Sequence, residues 1–154
     1  KPLFSWQRVR LKELLTLIVL CVIWASFASI LAEELNKTLY YRQQKLSFIF
    51  WEAPYPKLFS ILFLCLQPAL IEELGYRGLV MNYLERASGR RWVTLGGSAV
   101  LFSLLHFSSM GLIWLLPLGL MLGYFRLRYQ SLWYGAIAHF LYNFTILWLE
   151  WQQG

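Results

Sequence analysis

An all-α fold, a polytopic transmembrane helix bundle of about five membrane-embedded helices plus an interfacial segment, is what this sequence predicts. Three observations carry that expectation. Hydrophobic residues make up 58% of the 154 and charged residues only 14%, against roughly 25% charged in soluble domains. The apolar residues are gathered into runs of the length that crosses a bilayer. Lys and Arg collect in the breaks between those runs, far more on one side than on the other, which is the bias that orients membrane proteins.

The elements follow in order. Lys1, Arg8, Arg10 and Lys12 precede an apolar run from Leu14 to Leu31, longer than the ~7 to 15 residues of a signal-peptide core, so a first span is expected. Residues 32–56 mix Glu33, Glu34, Lys37, Arg42 and Lys45 with Phe48, Ile49, Phe50 and Trp51, a pattern suited to a membrane surface with an aromatic edge. A second span runs from Lys57 to Tyr83 and is followed by a polar turn through Glu85, Arg86, Gly89, Arg90 and Arg91. The third, Trp92 to Phe107, opens on Gly96, Gly97, Ser98 and Ala99, small residues that let helices approach closely. Residues 108–111 form a short turn, Leu112 to Phe125 a fourth and rather short span, Arg126 to Gln130 a basic turn and Ser131 to Trp151 the fifth span. No linker, low-complexity tract or repeat divides the chain, so residues 1–154 read as a single integral-membrane domain with its motif-bearing core at 57–151.

The net charge of +6 does not point to nucleic acid, because its basic residues flank hydrophobic segments and serve orientation. Nine Lys and Arg fall on the side of the N-terminus and four on the other, Arg77 lying inside a span. The N-terminus is therefore expected in the cytoplasm. Cysteines introduced at Ser5 and Ser88 should label from the cytoplasm and one at Gln153 from outside; labelling of the last two from the same side would show that the span count is wrong. Cys21 and Cys65 fall within spans as small apolar side chains, with no spacing that suggests a disulfide or metal cluster.

The stretch Ile71-Glu72-Glu73-Leu74-Gly75-Tyr76-Arg77-Gly78 places three charges inside the second span. A charge near the bilayer centre costs at least ~2.5 to 3.5 kcal/mol, so a paired or watered interior site is implied. Glu73 and Arg77 stand at i and i+4 in the favourable order. Glu72 lies about 100° round the helix, with Pro68 and Gly75, and has no such partner. Pro68 also denies the Leu64 carbonyl its helical donor. A structural ion pair would explain Arg77 and one glutamate and leave the other without a purpose. The acids are all Glu and the only histidines are His106 and His139. His139 shares a helical face with Asn143, and Glu72, His106, His139 and Asn143 all fall in the middle or outer-middle of the bilayer by helical rise. Peptide hydrolysis needs a base for water, which Glu with His can supply, and donors for an oxyanion, which His with Asn can supply. Ser103 and Ser108 flank His106, but the chain holds no Asp and the glutamates lie on another helix, so a serine triad does not assemble.

Glu72-Glu73-x-x-x-Arg77, Phe102-x-x-x-His106 and His139-x-x-x-Asn143, in that order on successive segments, resemble the three motifs of the CAAX protease and bacteriocin-processing family. Tyr76 stands where that family usually has Phe. The resemblance implies an intramembrane glutamic endopeptidase with no covalent intermediate and no cofactor. Glu72 and His106 would activate water, His139 and Asn143 would hold the oxyanion, and Glu73 with Arg77 would order the site. The expected location is the cytoplasmic membrane of a prokaryote, as a multi-pass protein. Its substrate would be a membrane-associated peptide or protein, such as a prenylated C-terminal tail, a bacteriocin leader or a C-terminal sorting signal. Two other readings stand beside it. One is a zinc metalloprotease with Glu72, His106 and His139 as ligands, weakened by the lack of an H-E-x-x-H pair. The other is a non-catalytic membrane protein, such as an immunity factor, an adaptor or a proton-relaying transporter.

Overall fold

The computed structural model describes residues 9–39, 45–106 and 111–152, and every regular element among them is helical. Helix α1 spans Leu11–Leu39. After a 3-10 turn at Leu46–Phe50, one continuous helix, α2, spans Pro56–Ser88. Helices α3, α4 and α5 are Arg91–Leu104, Gly111–Tyr129 and Trp133–Gln152. Leu11–Leu35 and Pro56–Ser88 are long and apolar enough to cross a membrane. The turn expected after the third span falls at residues 107–110, outside the described residues.

Three helix ends differ from the sequence reading, each for a local reason. Helix α1 continues well past Leu31, where Lys37 pairs with Glu33 and Glu34, both at 2.8 Å, in the i,i+3 and i,i+4 geometry that supports an exposed helix end. Helix α4 runs through the expected basic turn to Tyr129, because Arg126 folds inward and its Nε donates to the Arg77 carbonyl at 3.2 Å. It stops at Gln130, which adopts a left-handed φ of 55°. Helix α2 persists to Ser88, where Gly89, at φ 62°, takes the left-handed conformation that closes helices and donates its N–H to the Glu85 carbonyl.

A stripe of Leu14, Leu17, Cys21 and Ala25 on α1 packs against Leu118, Leu122 and Phe125 of α4 and Tyr134, Ala138 and Tyr142 of α5. The 3-4-4 spacing of the α1 stripe is the periodicity of one helical face. Its opposite face, with Leu15, Val19, Ile23, Phe27 and Ile30, is exposed. The Arg10 N–H donates to the Tyr134 hydroxyl at 2.8 Å, so α1 and α5 begin at the same end. Lys57 lies over the Trp151 ring, so α2 begins where α5 finishes. This threading gathers Arg10, Arg86, Arg90, Arg91 and Arg128 at one end and Lys37, Lys45 and Lys57 at the other. At the lysine end the 3-10 turn and the residue after it expose Phe48, Ile49 and Trp51, while Phe50 stacks on Phe63 and makes a tilted contact with Phe59 of α2.

Candidate active site

Helix α2 is not uniformly α. It widens to π geometry at Ile61–Leu66 and again at Glu73–Val80, a form that concentrates at functional sites. The first wide stretch sits just before Pro68, whose ring would clash with the Leu64 carbonyl and offers it no N–H. The carbonyl finds a donor elsewhere, since Asn143 Nδ2 of α5 donates to Leu64 O at 3.1 Å. The second stretch is held from outside as well. Ser98 Oγ donates to the Tyr76 carbonyl at 3.4 Å and Arg126 to that of Arg77.

The adjacent glutamates have separate surroundings. Glu73 is wholly buried and Arg77 is 1% exposed, with Arg77 Nη1 2.8 Å from Glu73 Oε1. That approach is a charge contact without hydrogen-bond alignment; Nη2 donates to the Gly119 carbonyl at 3.4 Å. His139 places Nδ1 3.2 Å from the same Oε1. The pairing of Glu73 with Arg77 is the one their spacing anticipates, and His139 joins it from α5. Glu72 instead faces His106, Oε2 to Nε2 at 3.7 Å, and both side chains remain about 30% exposed, at 29% and 31%. His106 Nδ1 donates to the Phe102 carbonyl at 2.7 Å, which fixes the tautomer and turns Nε2 toward Glu72.

Glu72, His106, His139 and Asn143 line one cavity of about 440 Å³, together with Leu64, Pro68, Trp114 and Leu147. All four residues that the sequence singles out for chemistry therefore share a wall, and Glu73 with Arg77 lies behind it. Among the described residues no three His, Cys or Glu side chains converge as a metal-ligand set, and His139 is turned to Glu73 rather than to Glu72.

Two residues matter here that sequence reasoning passed over. A side chain at Gly135 would put its Cβ 2.0 Å from Glu73 Oε2, so the buried carboxylate fits only against a bare backbone. Gly135, His139 and Asn143 are four apart in turn, and that face of α5 was legible. Phe102 was noted only as part of a motif, yet its buried ring is the hub of the site. The Arg77 guanidinium lies 4.4 Å from its centroid. Its edge contacts reach His106 at 4.9 Å, Tyr76 at 5.3 Å and His139 at 5.7 Å. A desolvated cation over an aromatic face is stabilised by roughly 2 kcal/mol.

A family model described as Type II CAAX prenyl endopeptidase Rce1-like matches residues 54–145. The chain belongs to this family. No curated protein and no solved structure matches it. The Rce1-like match begins just ahead of α2 and ends within α5, so it takes in every residue of the cavity wall named above except Leu147, and leaves α1 outside. Rce1-like proteins are membrane-embedded proteases, in keeping with the two long apolar helices, and a protease acts on peptide or protein.

Proposed function

We propose that this chain is an intramembrane glutamic endopeptidase whose five helices all lie in the bilayer as one domain, with the N-terminus in the cytoplasm. The observation that carries the reading is the placement of Glu72 Oε2 and His106 Nε2 side by side at 3.7 Å on the cavity wall. With Nδ1 of His106 committed to Phe102, its neutral Nε2 is an acceptor, and so is an ionised Glu72. Two neighbouring acceptors suit the two O–H bonds of one water. Glu72 takes a proton as that water attacks the scissile carbonyl and returns it to the leaving amine. The carbonyl oxygen gains negative charge in this step. Asn143 keeps a second Nδ2–H beyond the one given to Leu64, and that hydrogen serves the oxyanion. His139 holds a proton on Nδ1 toward Glu73, and its Nε2 donates as well when the ring is doubly protonated.

The family's name supplies a substrate class, a prenylated CAAX end, meaning a cysteine followed by two aliphatic residues and a terminal one. A lipidated tail suits a site within the membrane, and we take this class as the working substrate. The test against metal chemistry is direct. Protein purified free of metal should cleave a prenylated peptide at the same rate with and without phenanthroline, with elemental analysis run on the same sample. Stoichiometric zinc, activity lost on chelation and regained on zinc addition would replace this mechanism by a metalloprotease.

A further inference from the structure

A second cavity, of about 830 Å³, opens at the lysine end of the bundle, walled by Ser47, Trp51, Tyr55, Ser60 and Trp151 and containing Lys57. Lys57 is the one charged residue among its described walls, and its Nζ lies 5.5 Å from the Trp151 ring centroid. Glu150, next to Trp151, accepts at Oε1 from the N–H of Ser47, a residue of the same wall, at 2.9 Å. The two cavities run along the same pair of helices. Ser60 and Leu64 of α2, and Trp151 and Leu147 of α5, are each one helical turn apart, the first of each pair lining this cavity and the second the catalytic one.

We propose that this cavity is the subsite for the leaving end of the substrate, with Lys57 binding its terminal carboxylate. The inference rests on the protease reading and specifies which substrate ends that site accepts. Asn143 stands eight residues before Trp151 on α5, about 12 Å by helical rise. A peptide extends about 3.3 Å per residue, so a segment of about three residues reaches from the oxyanion position to the Lys57 ammonium. The aromatic walls suit apolar side chains, and an exposed lysine beside the Trp151 ring suits a single anionic terminus. A peptide whose chain continues past that point, or whose end is uncharged, forfeits the contact.

The experiment compares two prenyl-cysteine peptides with three aliphatic residues after the cysteine, one a free acid and one a C-terminal amide, in phosphatidylcholine vesicles. The intact protein should favour the acid by about tenfold in kcat/KM, through KM, as a charge-assisted contact predicts. Lys57→Gln should lose that preference, and Lys57→Arg should keep it. Equal cleavage of acid and amide by the intact protein, or an undiminished preference in Lys57→Gln, overturns the assignment. A loss in Lys57→Gln that is equal for both peptides and appears only when anionic lipid is added would mark a lipid-headgroup site instead, and also overturns it. Failure of the intact protein to cleave either peptide removes the prenyl-peptide substrate and this inference with it, and undiminished cleavage in Glu72→Gln removes the glutamic site from which the inference measures its distance and overturns it as well.

Discussion

Glu72→Gln should lower the cleavage rate by about two to four orders of magnitude, the usual loss for a removed acid-base group, and leave the protein inserted and folded. The amide keeps the size of the carboxylate but cannot take a proton from water. Among the described residues Glu72 lines the cavity, makes no ion pair with Arg77 and has His106 as its titratable contact at 3.7 Å, while its charge reaches Arg77 only at longer range. Its substitution should therefore move the thermal midpoint little. The rate is measured on a prenylated peptide with product sequencing and the midpoint by thermal unfolding in detergent. Full activity in this variant ends the glutamic mechanism.

The neighbouring residue should behave in the opposite way. Glu73→Gln removes the carboxylate that faces a fully buried guanidinium, and an unpaired buried charge typically costs about 3 to 5 kcal/mol. The expected result is a large fall in the unfolding midpoint together with lost activity. Gly135→Ala should give the same phenotype from the other side, because its new Cβ occupies the space of Glu73 Oε2 and the close-packed interior leaves that carboxylate nowhere to go. Replacing the pair as Glu73→Gln with Arg77→Met should recover part of the lost stability, since the buried charge is then gone. A Glu73→Gln protein as stable as the parent would show that this ion pair does not organise the site.

Much of this arrangement is readable in the sequence because it is local. The i,i+4 step from Glu73 to Arg77 fixes their contact, the step from His139 to Asn143 fixes a shared face, and apolar runs long enough to cross a bilayer mark α1 and α2. Pro68 even announces an orphaned carbonyl at Leu64. What takes up that carbonyl is Asn143, 79 residues later, and no periodicity reports a partner across such a distance. The π stretches of α2 were not legible for the same reason. The carbonyls of Tyr76 and Arg77 also accept from Ser98 and Arg126 of other helices, so part of what holds the wide turns is tertiary. The basic turn expected at Arg126 failed on that contact, since an arginine before a loop reads as a surface charge until the carbonyl it reaches is known. Gly135 was missed although its spacing to His139 was in view, because a glycine in an apolar run reads as helix packing until the group pressed against it is identified.

The central claim is that Glu72 and His106 act as one unit on one water. The measurement that tests it most directly is the cleavage rate of Glu72→Gln, His106→Ala and the double variant on the same peptide. Residues that serve a single step are grossly non-additive, so the double variant should be no slower than the slower of the two single ones. Losses that multiply in the double variant would mean that the two side chains act on separate steps, and would contradict the mechanism.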